Sequence, residues 1–151
     1  MKLETKQTPD FKFGNKKDAK EDKQESVCDE IAELVTELLN SAVSYHKLHL
    51  KVTGQGSFSQ HKATNKIYES LPKHGDDIAE QAQGAYEEIL KDVSRAPRVL
   101  KTKQEGIAYA NELKEMITEL QTKIKFSELV NTMDETKSSL NSLKYKLLFL
   151  S

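Results

Sequence analysis

One cysteine, Cys28, stands in a chain of 151 residues, so no disulfide can close within it and a reducing compartment is its natural setting. No apolar run approaches the roughly 20 residues that span a bilayer. The opening stretch MKLETKQTPDFKFGNKK has no apolar centre of the kind a secretory signal needs. Neither membrane insertion nor export is expected, and the expected compartment is the cytoplasm. The net charge of −1 excludes a globally basic nucleic-acid binder, so any contact with DNA must come from a local segment. There is no G-x-x-x-x-G-K-[ST], no G-x-G-x-x-G and no C-x-x-C, which leaves nucleotide-loop and zinc-ribbon readings without support. Only 36% of the residues are hydrophobic and 31% are charged, too few apolar positions for a wide flat core. Slender helices around a narrow core fit better, and the length suits one domain.

Residues 1–24 read as a polar, disordered tail in which Lys2, Lys6, Lys12, Lys16, Lys17, Lys20 and Lys23 outnumber five acids by two. One reading is a basic arm on phosphate backbone, carried by Lys12, Lys16, Lys17 and Lys20. The other is an ordinary solvated extension, which the interspersed acids favour. A bundle domain should fill 25–151. Its first helix is expected from Ser26 to about Val52, with Val27, Ile31, Leu34, Leu38, Ala42, Tyr45 and His49 at helical spacing. Val35, Leu39 and His46 lie beside that stripe. Thr53-Gly54-Gln55-Gly56-Ser57 should reverse the chain, with Ser57 or Ser59 capping the second helix.

That helix carries an apolar stripe (Thr64, Ile67, Leu71, Ile78, Ala82) and an unusual polar one (His61, Asn65, Tyr68, Pro72, Asp76, Glu80). Pro72 should bend it and Gly84 should close it. Residues 85–104 form a connection in which Tyr86–Val93 is expected to make a short crossover helix, ended by Ala96-Pro97. A connection this long lets the third helix, Gln104–Lys123, run parallel to the second. The fourth starts near Ser127 and repeats Leu129, Met133, Thr136, Leu140, Leu143, Leu147 and Leu150 as a packing seam. Cys28 is expected to be a buried thiol, not a reactive one.

All four histidines fall between His46 and Glu80. Imidazoles and carboxylates on facing helices are the usual makings of an iron or mixed divalent-metal site. His49, His61, Asp76 and Glu80 follow at intervals of twelve, fifteen and four. This pattern resembles the ferroxidase signature of the Dps family of mini-ferritins. SYHKLHLK resembles the end of that family's first helix, GSFSQHKATNKIYESL the start of its second and DIAEQAQG its carboxylate segment. LNSLKYKLLFL is similar to its terminal helix, so the likeness runs from about residue 26 to 150. The H-x-x-H-L and Y-K-L segments are also similar to small ferritin-like proteins carried by large tailed bacteriophages, which implies virion association as a second setting.

The resemblance implies an all-α, ferritin-like four-helix bundle with metal ligands His49, His61, Asp76 and Glu80. It implies Fe²⁺ oxidation by hydrogen peroxide or oxygen, and storage in a dodecameric shell built from two-fold dimers. Zn²⁺ and other divalent ions would suit the same donors. Counting distances agrees with a shared site. At 1.5 Å per residue, Asp76 and Glu80 lie about 22–28 Å along the second helix from His61, so one chain cannot close all four on one ion. The third and fourth helices carry no histidine, which excludes a self-contained di-iron layout. A two-fold axis could bring the histidines of one copy to the acids of another, which is the arrangement the resemblance implies.

Leu50 stands where the family has Trp, Asn65 where it often has an acid, and Pro72 between the ligands is atypical. His46, His74, Asn65 and Asp77 are candidate auxiliary groups. Tyr45 and Tyr68 are read first as packed aromatics. Two rivals remain: a ferritin-fold structural or interaction protein without oxidation, and a plain helical adaptor that uses the Leu129–Leu150 seam. For the tail, deleting residues 1–24 is expected to weaken DNA binding at low salt, read as a reduced gel shift; equal shifts would remove the idea.

Overall fold

The computed structural model describes residues 18–151, with side chains from Val27 onward. Among the described residues it is all-α: α1 (Asp18–His49), α2 (Ser57–Tyr86), α3 (Lys103–Gln121) and α4 (Ser127–Phe149). The expected tail, with Lys12, Lys16 and Lys17, lies outside the described residues up to position 17. Residues 18–24, including Lys20, belong to the start of α1. None of the helices described is long and apolar enough to cross a membrane.

The stripes read from the sequence are the faces that pack. Ile31, Leu34, Leu38 and Tyr45 of α1 meet Ile67, Leu71, Ile78 and Ala82 of α2. Ala110, Leu113, Ile117 and Leu120 of α3, with Leu129, Met133, Leu140 and Leu143 of α4, complete one core. Each such leucine or isoleucine contributes about 2 kcal/mol relative to an exposed position, so the repeat at three and four dictates which way every helix faces. Leu150, expected at the end of the α4 seam, is instead half exposed because α4 ends at Phe149.

Helix directions follow from the side-chain bonds. Tyr45 donates to the Gly106 carbonyl at 2.7 Å while Lys123 reaches Glu30 at 2.6 Å, so α3 runs antiparallel to α1. The short α1–α2 turn makes α2 antiparallel to α1 as well, and α2 and α3 are therefore parallel. Lys114 to Asn141 and Gln121 to Asp134 set α4 antiparallel to α3.

Parallel neighbours in sequence need a connection that travels the length of a helix. Residues 87–102 provide it, and they contain no helix. This corrects the expected crossover helix at Tyr86–Val93. α2 does not close at Gly84 either: it continues to Tyr86, and Glu87 ends it in the left-handed region with φ 55°. The physical reason is reach. Extended chain advances about 3.3 Å per residue against 1.5 Å in a helix, and the segment is tied along α1 at several levels. Lys91 pairs with Asp29, Arg95 with Glu33 and Glu37, and the Arg95 carbonyl accepts from Asn40 at 2.7 Å.

Helix starts differ from expectation in three places: α1 begins at Asp18, not Ser26, and the other two are α2 and α3. Gly56, not Ser57 or Ser59, precedes α2, because the turn takes φ 76° there, a conformation that costs glycine little. α3 begins with Thr102 accepting from the Glu105 N–H at 3.2 Å, while Glu105 accepts from the Lys101 N–H at 2.6 Å. That is a T-x-x-E capping arrangement. Pro72 lies inside α2 without ending it.

The buried end of the tie is Glu37, almost fully enclosed on the core side of α1. Its carboxylate accepts from Arg95 at 2.8 Å and from the Tyr109 hydroxyl at 2.7 Å, with Arg98 at 3.8 Å. The Arg98 guanidinium also lies 4.3 Å above the Tyr109 ring and bonds Glu112. Burial alone would raise the Glu37 pKa. The Arg95 and Tyr109 hydrogen bonds and the arginine charges outweigh it and hold the carboxyl below its ordinary value.

A carboxylate depressed on folding adds stability that is present above its unfolded pKa and lost as pH falls through the folded one. Glu37→Ala leaves the buried Tyr109 hydroxyl only its long 3.4 Å bond to the main-chain carbonyl of residue 37, and leaves the arginines partly in water. A loss of about 2 kcal/mol is expected in urea unfolding near neutral pH. The difference from the unsubstituted chain should shrink below the carboxylate range; a difference independent of pH would contradict this reading.

Candidate metal centre

His49 and His61 meet at the corner where α1 hands over to α2. His49 is the last residue of α1 and is buried, at 6% exposure. His61 is in the second turn of α2 and exposed. Their rings stack with centroids 3.6 Å apart. The turn that joins the helices therefore does what its glycines suggested and sets the two imidazoles side by side.

The His49 ring has a defined orientation. Its Nδ1 lies 2.9 Å from the His61 main-chain carbonyl, which can only accept. Nδ1 therefore carries the proton, and Nε2 is the bare nitrogen of the neutral ring. Thr64 Oγ1 sits 3.3 Å from the same Nδ1 and donates to the Gln60 carbonyl at 2.8 Å, which braces the contact. A main-chain acceptor on one nitrogen that leaves the other open is the usual way a metal-binding histidine is set. No hydrogen bond occupies Nε2 among the described residues.

His46 lies next to this pair. Its ring stacks on Tyr68 at 4.2 Å and stands 6.0 Å from that of His49. Tyr68 meets His49 edge-on at 5.2 Å and donates to Asn65 Oδ1 at 2.8 Å. Asn65 thus has its acceptor oxygen engaged by Tyr68. Tyr45 is fully buried and stacked against Tyr109 at 5.8 Å, a packed aromatic as expected.

Asp76 and Glu80 are not brought to the histidines. Both are exposed on α2, one turn apart, and neither forms an ion pair among the described residues. Asp77 is held by Lys73 at 2.6 Å. His74 faces α4, with Nε2 3.0 Å from Ser139 Oγ, so it stands apart from the corner. Burial favours its neutral form, opposed by the charges of Asp77 and Glu135. Among the described residues no group of three or more His, Cys, Asp or Glu within one chain is placed to hold a metal ion. Cys28 is buried ten residues into α1, and burial followed by the charge of Glu88 pushes its thiol up to about 11. It is not a nucleophile at neutral pH.

Two groups escaped the sequence reading. Thr64 was assigned to the apolar stripe and in fact touches the His49 ring. Glu37 interrupts the α1 stripe three residues after Leu34 and one before Leu38; a charge at a core position was the available signal.

A family model matches residues 49–147 and is described as a family of unknown function (DUF5856). The match begins at His49 and contains His61, Asp76 and Glu80. No curated protein and no solved structure matches the chain. The hydrogen-bond assignment yields a direct expectation: long-range proton–nitrogen NMR should find His49 as the Nδ1–H tautomer, with Nε2 unprotonated. An Nε2–H signal would mean that the ring is not preset for a ligand.

Proposed function

The chain thus belongs to that family of unknown function, and we propose that it is a ferritin-like four-helix bundle of the Dps kind. In this reading it takes Fe²⁺ as substrate at sites shared between two copies. His49 and His61 of one copy and Asp76 and Glu80 of the other are the ligands. The observation that carries the reading is the stacked His49–His61 pair, with Nε2 of His49 left open by the bond from Nδ1 to the His61 carbonyl.

Two further features support it. The acids are exposed on α2 and, among the described residues, form no ion pair, available to a neighbour but about 22–28 Å along the helix from His61. The α1 face beside His46 is apolar and uncovered, with Leu39 and Val43 each 42% exposed and Leu50 72%. Phe58, at the opposite side of the turn, is 70% exposed. Apolar side chains grouped in this way are what a self-complementary two-fold contact covers.

The chemistry needs borderline donors and an open coordination position. Imidazole nitrogens and carboxylates supply the first, and an oxidant fills the second. Two Fe²⁺ each give one electron to hydrogen peroxide, which takes up two protons and leaves as water; the Fe³⁺ passes to storage in the shell. DNA association through Lys12, Lys16, Lys17 and Lys20 and carriage by a virion are extensions of the same reading.

A second reading has one observation in its favour. Asn65 offers no charge and has its oxygen occupied by Tyr68, which weakens the hold on a second cation. The chain would then keep the fold and assembly without oxidation. His61→Ala combined with Asp76→Ala separates the two. Fe²⁺ oxidation with peroxide, followed optically, is expected to fall to the protein-free rate while circular dichroism stays helical. Unchanged kinetics in the double variant would refute the site.

A further inference from the structure

A second set of polar groups converges on the far side of α2, where it packs against α4. His74 Nε2 to Ser139 Oγ at 3.0 Å and Thr132 Oγ1 to Gln81 Oε1 at 2.8 Å fix an antiparallel register between these helices. That register brings Ser70 level with Ser142, and Lys66 level with Lys146. Around these residues the helices do not close. A cavity of about 280 Å³ opens between them, lined by the hydroxyl-bearing Ser70, Ser138, Ser139 and Ser142 and by Lys66 and Lys146. Ile67 and Leu143 form its floor.

The lining is not what helix packing requires. At a contact between two helices a leucine or isoleucine would fill the space, as Leu71 and Leu140 do nearby. Here small serine side chains leave the space open; Ser70 Oγ donates to the Ile67 carbonyl at 3.2 Å and Ser139 Oγ is engaged by His74, so Ser138 and Ser142 are the lining hydroxyls without a partner among the described residues. No carboxylate lines the cavity. Neither Lys66 nor Lys146 forms an ion pair among the described residues, although their neighbours Lys73 and Lys137 both do. Two like charges share one cavity with no counter-charge, an arrangement that an anion would relieve.

We propose that this α2–α4 cavity binds a phosphate group, either inorganic phosphate or the phosphate of a small phosphomonoester. The donor set has the required chemistry. Ammonium groups supply charge without demanding a planar partner, and the Ser138 and Ser142 hydroxyls can donate to the remaining oxygens. The volume lies just below the range of small-ligand pockets, which suits a compact anion over a nucleotide. Nothing in the site uses His49, His61, Asp76 or Glu80, so the proposal does not depend on iron.

Calorimetric titration of the full chain in metal-free buffer, with inorganic phosphate and in parallel with glycerol phosphate, tests it. Saturable binding of at least one is expected, and the tighter of the two identifies the source. Lys66→Ala at an exposed position and Lys146→Ala at a half-buried one should each weaken binding about tenfold, and Ser142→Ala by a smaller factor. Amide shifts in NMR should cluster at 63–70 and 138–146. Absence of saturable binding, wild-type affinity in both lysine variants, or shifts confined to other parts of the chain would overturn the proposal.

Discussion

The hydrogen bond from His49 Nδ1 to the His61 carbonyl is the constraint on which the functional reading depends. It ties the last residue of α1 to the second turn of α2, so the corner and the imidazole orientation are determined together. With Nδ1 engaged, the ring can offer only Nε2 to a ligand. The same bond satisfies the one N–H that the buried ring carries, so burial and orientation are met by a single contact. Thr64 reinforces it from one turn further on, and the stacked His61 ring places a second nitrogen donor alongside.

The remainder of the fold keeps that corner in place over a narrow core. Because α2 and α3 are parallel, the chain between them must travel back along the molecule, and it does so extended, tied to α1 through Arg95 and Arg98. Surface ion pairs such as Lys91–Asp29 contribute little, being screened by water. Glu37 differs because its carboxylate is enclosed and satisfied by Arg95 and Tyr109 at once. It joins the crossing segment, α1 and α3 in one network, while Tyr45, one turn from His49, bonds the Gly106 carbonyl of α3. The corner and the clamp are thus two ends of one helix surface.

The helices were legible because their apolar residues recur at three and four, and that period survives any detail of side-chain chemistry. Ile67, Leu71 and Ile78, or Leu113, Ile117 and Leu120, could face only inward. The connection was misread because Tyr86–Val93 has local helical character, whereas the segment is held extended by pairings to α1 through Lys91 and Arg95 that are remote in sequence. Glu37 and its arginines were missed because the pairing spans about sixty positions, which no local pattern records. At the corner, the approach of His49 and His61 followed from the glycine turn, while the role of Thr64 did not. Whether Asp76 and Glu80 meet those histidines depends on a second copy, and their place on α2 was all that one chain could reveal.

The central claim is that each site takes its imidazoles from one copy and its acids from another. Mixing two inactive variants tests this most directly: a chain with His49→Ala and His61→Ala, and a chain with Asp76→Ala and Glu80→Ala, unfolded and refolded together. Each alone should leave peroxide-driven Fe²⁺ oxidation at the protein-free rate, whereas the mixture should regain activity, because hybrid pairs contain one complete set of ligands. No recovery in hybrids shown to have formed, or undiminished oxidation by either variant alone, would contradict the shared site.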